Sequence, residues 1–219
     1  MTDGPIVVID YGAGNLRSVA RALAHAGEEP IVTANPRLLE QAAGLVLPGV
    51  GAAQDTMTNL EARGLVEPLR KLVAGGLPLL GVCMGLQALF DWSDEGEGQV
   101  CLGILPGKIR HFGQAGAELK IPHMGWNTVR WIREHPVTEG IPDGSYFYFV
   151  HSFYPEPAHG DVVLGETEYG NPFASVVAKD NVVATQFHPE KSGEIGLRFY
   201  GNFCRWVRSA SGTAATLQA

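Results

Sequence analysis

Short apolar runs alternate with longer stretches of helical spacing over the first 92 residues, and this alternation constrains the fold more than any other feature of the chain. Strands that are apolar throughout are buried on both faces, so the helices between them predict a parallel sheet that is covered on both sides. The runs predict strands at 6–10, 30–34, 44–48 and 77–82. Helices are predicted at 16–26, 36–43, 53–73 and 84–92.

The pattern changes after Trp92, where an acidic, glycine-containing loop leads into strands with no long helix between them. Such a series is typical of antiparallel or mixed β structure. A helix at 194–207 is predicted to complete a single domain over residues 1–208, and the small polar residues 209–219 are predicted to form a flexible tail. The strands of this half are predicted at 104–111, 128–132, 146–150, 162–167, 174–178 and 182–186.

Composition argues against several classes of protein. The net charge of −7 argues against general nucleic-acid binding, which needs a basic surface. Three widely spaced cysteines without a CxxC motif argue against a disulfide framework or a zinc site, and free thiols suit a reducing cytosol. The chain shows neither a signal peptide nor an apolar stretch of about 20 residues, so we expect a soluble, cytoplasmic protein with no metal or cofactor.

A candidate nucleophile lies where the fourth predicted strand meets its helix. Residues 81–85 read Gly-Val-Cys-Met-Gly, the pattern of a nucleophile elbow with Cys83 in the place of serine. The two glycines allow a tight turn, and the start of the following helix favours the thiolate. Taken alone, the pentapeptide fits a small buried cysteine equally well.

A candidate base follows the last predicted strand, in the segment Gln-Phe-His-Pro-Glu at 186–190. Pro189 favours an extended His188, and residues two apart in an extended chain face the same way. Glu190 is therefore placed to orient the imidazole of His188, as the acid of a catalytic triad does. Alone the segment also fits a surface turn, but together with the elbow cysteine it predicts a Cys-His-Glu triad.

Further segments are predicted to surround the thiol. The glycines after the third strand let backbone N–H groups face an oxyanion, and Gln87 shares a helix face with Cys83 because it lies one turn later. Each of these features, read alone, also fits an ordinary turn or a structural side chain. The predicted substrate-binding and oxyanion residues are Gly49, Val50, Gly51, Met84, Gln87, His151, Ser152 and Phe153.

With these motifs in view, the chain resembles the class I, triad-type glutamine amidotransferases from about residue 5 to residue 208. The elbow at 81–85 is similar to theirs, and His188 and Glu190 match their base and acid. The resemblance implies a flavodoxin-like, mostly parallel sheet with helices on both faces and a β-rich antiparallel extension. It also implies hydrolysis of glutamine to glutamate and ammonia, begun by attack of Cys83 on the side-chain amide.

Four stretches are most similar to the branch of this family that supplies ammonia to a cyclase in histidine biosynthesis: 10–16, 48–51, 122–127 and 148–153. One departure is Phe153, where that branch commonly has tyrosine. The resemblance implies a heterodimer with a (β/α)₈-barrel cyclase that receives ammonia through a channel. Without this resemblance, the loop-like segment 122–127 would be interpreted as a buried loop with Trp126 in the core. The implied interface residues are Asn15, Pro122, Met124, Trp126 and Asn127.

Three other functions are compatible with the same residues. The chain could be the glutaminase subunit of another synthetase, such as one that makes anthranilate. It could be a non-catalytic, flavodoxin-like module that regulates a partner, in which case Cys83 would not react with an electrophilic glutamine analogue. It could also be a stand-alone thiol hydrolase that acts on esters or peptides.

Overall fold

The computed structural model describes residues 4–12, 14–115 and 119–216, which form an α/β fold. Strands and helices alternate in the first half, and strands dominate the second. The strands are β1 Ile6–Ile9, β2 Ile31–Thr33, β3 Gly44–Leu47, β4 Leu79–Val82, β5 Trp92–Ser93, β6 Gln99–Val100, β7 Gly107–His111, β8 His123–Trp131, β9 Ser145–His151, β10 Phe153–Pro157, β11 Val163–Tyr169, β12 Asn171–Lys179 and β13 Val182–Thr185. The helices are α1 Leu16–His25, α2 Pro36–Leu39, α3 Ala53–Ala62, α4 Val66–Ala74, α5 Met84–Ala88 and α6 Gly193–Thr216. Single 3₁₀ turns lie at Phe112–Ala115, Pro136–Thr138, Gly160–Val162 and Pro189–Lys191.

The described residues form one nine-stranded sheet in the order β2-β1-β3-β4-β13-β12-β11-β8-β9 and a small sheet in the order β10-β7-β5-β6. The first five strands of the large sheet are parallel, in the order of a flavodoxin-like sheet with β13 as the fifth strand. The next four are antiparallel. The predicted flavodoxin-like sheet with an antiparallel extension is therefore confirmed.

Two hydrophobic cores lie on opposite faces of the parallel strands, because neighbouring side chains of a strand point to opposite faces. Val8 belongs to one core, together with Val19 of α1 and Phe203 of α6. Val7 belongs to the other core, together with Leu60 of α3. Burial on both faces is what the unbroken apolar runs of the sequence predict, and each residue of β1, β3, β4 and β13 is buried.

Several predicted boundaries were wrong. The helix predicted at 53–73 is two helices, α3 and α4, and Gly64 between them has a φ of +63° that a continuing helix cannot contain. The helix predicted at 84–92 ends at Ala88, and β5 follows it. The segment 122–127 is mostly strand β8 and not a loop. The flexible tail stays a prediction: α6 continues to Thr216, and residues 217–219 lie outside the described part of the chain.

The carboxyl ends of β1, β3, β4 and β13 meet at one edge of the sheet because these strands are parallel. The segments 10–15, 48–51, 83–87 and 186–190 follow these four ends. Strand β9, at the far end of the sheet, returns to this edge, where the backbone N–H of His188 donates to the carbonyl of Tyr148 at 2.9 Å. Residues from both halves of the chain thus converge at this edge. Within the described residues, no helix has the length and apolar character needed to cross a membrane.

Candidate active site

The turn between β4 and α5 holds Cys83 in a conformation that non-glycine residues rarely adopt, with φ 53° and ψ −106°. Its backbone N–H is fixed by a 2.7 Å hydrogen bond to the carbonyl of Thr185 on β13. Gly85 makes the turn possible, because a Cβ there would lie 1.8 Å from the carbonyl oxygen of Leu47. This is the strand–turn–helix geometry that an elbow nucleophile requires, and backbone strain of this kind is concentrated at functional sites.

His188 and Glu190 form a buried pair at the end of β13. Nδ1 of His188 donates to Oε1 of Glu190 at 2.7 Å, and the two side chains are 1% and 0% exposed. Within the described residues Nε2 of His188 has no nitrogen or oxygen partner, and this imidazole interacts with the sulfur of Cys83. Burial lowers the pKa of His188, but Cys83 and Glu190 raise it more, to about 10. The arrangement therefore favours the protonated imidazolium of His188.

The carboxylate of Glu190 has two further partners. The side-chain amide of Asn15 donates to Oε1, and the hydroxyl of Tyr200 donates to Oε2 at 3.4 Å. Asn15 was predicted only as an interface residue, and in the fold it lies against the acid of the predicted triad. Tyr200 was not predicted at all, because a tyrosine within an amphipathic helix carries no local signal of such a role.

Gln186 is a second residue that the sequence analysis did not assign to the site. Its Nε2 donates to the sulfur of Cys83 at 3.6 Å, and its Oε1 accepts a hydrogen bond from Nε2 of Gln87 at 3.1 Å. Gln186 therefore places a hydrogen-bond donor directly beside the sulfur. The sequence argument expected residues two apart to share a face, and the same spacing extended back by two residues would have found Gln186. In the structure the segment is not fully extended, because a 3₁₀ turn at Pro189–Lys191 positions Glu190.

A cavity of about 410 Å³ opens over the sulfur of Cys83. All the predicted substrate residues except Gly49 line it. Gly49 packs behind the cavity, where a Cβ would lie 2.6 Å from the hydroxyl of Tyr11. Another cleft, of about 830 Å³, lies along residues 131–141 and has no cysteine among its lining residues. The residues that line the cavity are Val50, Gly51, Cys83, Met84, Gln87, Glu95, Pro122, Val150, His151, Ser152, Phe153 and His188.

Glu95 and Gln87 give this cavity its polar character. Glu95 supplies the one carboxylate among the described lining residues, and its Oε2 accepts a 2.6 Å hydrogen bond from the backbone N–H of Ala53. Oε1 of Gln87 is buried beside the cavity without a hydrogen-bond partner among the described residues, and such an unsatisfied acceptor calls for a partner. Glu95 was not predicted individually, although the acidic loop that contains it was noted. The described residues contain no cluster of side chains suited to hold a metal ion.

Three of the predicted interface residues lie on β8 and divide between its two faces. Met124 and Trp126 are 62% and 56% exposed, so the reading of Trp126 as a core residue is wrong. Asn127 faces the other way, where its amide donates to the carbonyl of Glu168 at 3.0 Å. Pro122 is exposed at the rim of the cavity. Residue 13, in the turn before Asn15, lies outside the described residues.

The fold, the elbow turn and the buried histidine–carboxylate pair are together typical of α/β enzymes with an elbow nucleophile. The family model for class-I glutamine amidotransferases matches residues 7–204, and the chain belongs to this family. It is similar to the imidazole glycerol phosphate synthase subunit HisH of Moorella thermoacetica, with 49% identity over 206 residues that cover 94% of this chain and 97% of the relative. The HisH subunit of Dehalococcoides mccartyi is 48% identical over 198 residues, 90% of this chain and 95% of the relative.

Solved structures share the fold at lower identity. A crystal structure described as a glutamine amidotransferase superposes with a TM-score of 0.71 at 22% identity and covers 93% of this chain and 99% of its own. The PurLQS structure from Thermotoga maritima also gives a TM-score of 0.71, at 20% identity, over 94% of this chain and 100% of its own. These structural similarities support the fold described above for this chain.

Proposed function

We propose that this chain is the glutamine-hydrolysing subunit of an imidazole glycerol phosphate synthase and that it releases ammonia for a cyclase partner in histidine biosynthesis. The observation that carries the proposal is a connected set of side chains: His188 is hydrogen-bonded to Glu190 and interacts with the sulfur of Cys83, and Cys83 and His188 both line the cavity. Identities of 48–49% to HisH subunits over nine-tenths of the chain support the choice of this synthase among the family's enzymes.

The mechanism follows from the positions of the three side chains. The thiolate of Cys83 attacks the side-chain carbonyl carbon of glutamine, and the carbonyl π electrons move to oxygen. Backbone N–H groups of Val50 and Met84 stabilise this oxyanion. The imidazolium of His188 then protonates the departing nitrogen, the C–N bond breaks, and ammonia leaves a thioester. His188, now neutral and held by Glu190, takes a proton from water, and hydroxide attack on the thioester releases glutamate and regenerates the thiolate.

Glutamine fits the chemistry of the cavity walls. Its α-ammonium group needs an anionic partner, and Glu95 is the carboxylate that lines the cavity. The unpartnered Oε1 of Gln87 accepts an N–H of the substrate. Gly51 and the segment from His151 to Phe153 form the remaining wall. A hydrogen-bonding cavity of this kind rejects apolar analogues because their binding would leave its buried polar groups unpaired.

The partner docks, in this proposal, on the outward face of β8 and β9. Met124 and Trp126 of β8 face the same side as Tyr148 and Val150 opposite them, and exposed aromatic and methionine side chains are typical of interfaces. Asn15 links this side of the molecule to the carboxylate of Glu190. The partner is a (β/α)₈-barrel cyclase, and ammonia passes to it through a channel without entering bulk water, where protonation would abolish its nucleophilicity.

Glutamine hydrolysis measured with and without a purified cyclase and its nucleotide substrate tests the proposal. We expect slow hydrolysis by the chain alone and strong activation in the complex. Cys83→Ala should abolish hydrolysis, whereas Cys101→Ala, at a buried cysteine that does not line the cavity, should retain it. Activity restored by the acceptor subunit of a different synthetase, but not by the cyclase, would point to another branch of the family.

A further inference from the structure

Two histidines on neighbouring strands form one hydrogen-bonded chain behind the cavity. His123 of β8 and His151 of β9 are directly opposite each other in the sheet, and Nδ1 of His123 lies 2.8 Å from Nε2 of His151. Beyond His151, its Nδ1 lies 2.7 Å from the carbonyl oxygen of Phe153. Beyond His123, its Nε2 lies 3.1 Å from the side-chain amide nitrogen of Asn127. Four residues are thus joined end to end.

The groups at the two ends of this hydrogen-bonded series determine which nitrogens donate and which accept. A carbonyl oxygen only accepts, so Nδ1 of His151 carries a proton and, in a neutral ring, its Nε2 accepts. Nδ1 of His123 must therefore carry a proton too, and its Nε2 accepts from the amide of Asn127. Both rings are neutral because burial lowers the pKa of His151 to about 3 and that of His123 to about 4. The hydrogen bonds therefore all run from Asn127 towards Phe153.

Aromatic rings hold both histidines in place. The ring of His123 is stacked between Phe149 and Tyr169, with centroid distances of 4.8 and 4.1 Å. His151 packs against Phe112 and Phe173 at 5.2 and 5.3 Å. Each ring therefore lies in a fixed orientation with both nitrogens hydrogen-bonded, and a different tautomer would leave two donors or two acceptors facing each other.

This series of hydrogen bonds ends at Phe153, a residue of the cavity wall. The carbonyl oxygen of Phe153 also accepts a 3.2 Å hydrogen bond from Nε2 of Gln87, which in turn donates to Gln186, the donor to the sulfur of Cys83. His151, Phe153 and Gln87 all line the cavity, whereas His123 does not. The hydrogen bond to His151 is the polar connection through which a change at His123 reaches the cavity.

We propose that His123 is a positioning residue for the substrate: by donating to Nε2 of His151 it holds that ring in the orientation in which Nδ1–H reaches the Phe153 carbonyl, and so fixes the wall that binds glutamine. This inference rests on the proposed function. The residue touches neither substrate nor reacting atoms, so its loss weakens substrate binding and leaves the triad intact. Asn127, the first donor of the hydrogen-bonded series, fixes the tautomer of His123.

Kinetics of three variants in complex with the cyclase test the inference. His123→Phe keeps an aromatic ring between Phe149 and Tyr169 but leaves Nε2 of His151 without a donor. Loss of one buried hydrogen bond of this kind should raise KM for glutamine about tenfold, with kcat changed less than about twofold. His123→Gln, whose amide can both donate and accept, should recover most of the affinity. His135→Phe is the matched control, a half-buried histidine remote from the cavity beside Trp206.

Nitrogen NMR of histidine-labelled protein supplies a readout that does not depend on catalysis. Both His123 and His151 should show the Nδ1–H tautomer, and in His123→Phe the Nε2 resonance of His151 should shift because that nitrogen loses its hydrogen bond. An Nε2–H tautomer in the unaltered protein, or an unchanged KM in His123→Phe, would overturn the inference. A rise in KM equal to that of His135→Phe would do the same, because it would reflect general destabilisation. Absence of glutamine hydrolysis by the unaltered complex would instead refute the proposed function, and the NMR tautomers would still decide the direction of the chain.

Discussion

Nδ1 of His188 lies 2.7 Å from Oε1 of Glu190, and neither side chain is exposed to solvent. A carboxylate withdrawn from water this completely is costly unless each of its oxygens has a donor. The side-chain amide of Asn15 and the hydroxyl of Tyr200 supply the remaining donors. The carboxylate of Glu190 thus has a donor on each oxygen and faces a single imidazole, which is the requirement for orienting a catalytic base.

The first prediction concerns that charge. Glu190→Gln preserves the size of the side chain and an acceptor for Nδ1 of His188, but it removes the negative charge that stabilises the imidazolium. We expect kcat/KM for glutamine, measured in the cyclase complex, to fall at least about 100-fold. Glu194→Gln, at an exposed acid in the first turn of α6, is the control and should behave like the unaltered protein.

The same pair predicts how stability depends on pH. The pKa of His188 rises from 6.5 to about 10 on folding, so this group stabilises the fold fully below pH 6.5, where both states are protonated. Above 6.5 the unfolded state releases its proton first, and the contribution is lost as the pH rises through 10. Urea denaturation should show a free energy of unfolding that falls between pH 7 and pH 10. Since Glu190 raises this pKa, the fall should be smaller in Glu190→Gln, and equal falls would contradict the assignment.

A further prediction tests Glu95 as the partner of the substrate's α-ammonium group. Glu95→Gln keeps the acceptor for the N–H of Ala53 but loses the charge. A charge-assisted hydrogen bond contributes about 1.5–3 kcal/mol, so KM for glutamine should rise about 10- to 100-fold. Glu97→Gln, an exposed acid in the same loop, should leave KM unchanged. An effect confined to kcat would show that Glu95 does not bind the α-ammonium group of glutamine.

Gly85→Ala tests the tight packing of the elbow. The new Cβ would lie 1.8 Å from the carbonyl oxygen of Leu47, and a backbone atom of a buried strand cannot move aside cheaply. We expect a loss of about 1–3 kcal/mol or more in the free energy of unfolding, read from urea denaturation. Gly160→Ala is the matched control, since a Cβ there meets nothing within 4 Å. Equal stability of the two variants would argue against this geometry.

Trp126→Ala tests the proposed docking surface. Trp126 is 56% exposed, so its truncation should leave the fold stable while it weakens binding of the cyclase. Buried tryptophans at interfaces contribute about 2 kcal/mol or more, which corresponds to a Kd at least about 30-fold higher in calorimetric titration. Val100→Ala, at a residue 62% exposed on β6, should bind normally. A Kd unchanged by Trp126→Ala would show that the cyclase binds to another surface.

Much of the fold and the central residues of the site were readable from the sequence because they depend on local patterns. Unbroken apolar runs predict strands buried on both faces, and the four strands of the first half lie where these runs do. The elbow around Cys83 and the His-Pro-Glu segment can each be recognised from five consecutive residues, 81–85 and 186–190. Boundaries were less predictable: the helix expected over 53–73 is interrupted at Gly64, and a positive φ at one glycine leaves little trace in hydrophobic periodicity.

Only the tertiary structure decided which distant residues meet. Strand β13 inserts beside β4 although about 100 residues separate them, and this pairing brings His188 to Cys83. Strand β9 returns to the same edge, which places His151 in the cavity wall and His123 behind it. The contacts of Asn15 and Tyr200 with Glu190 arise in the same way. Sequence determines these contacts only through the whole fold, because hydrogen bonds between distant side chains depend on sheet order and register, which no local pattern encodes.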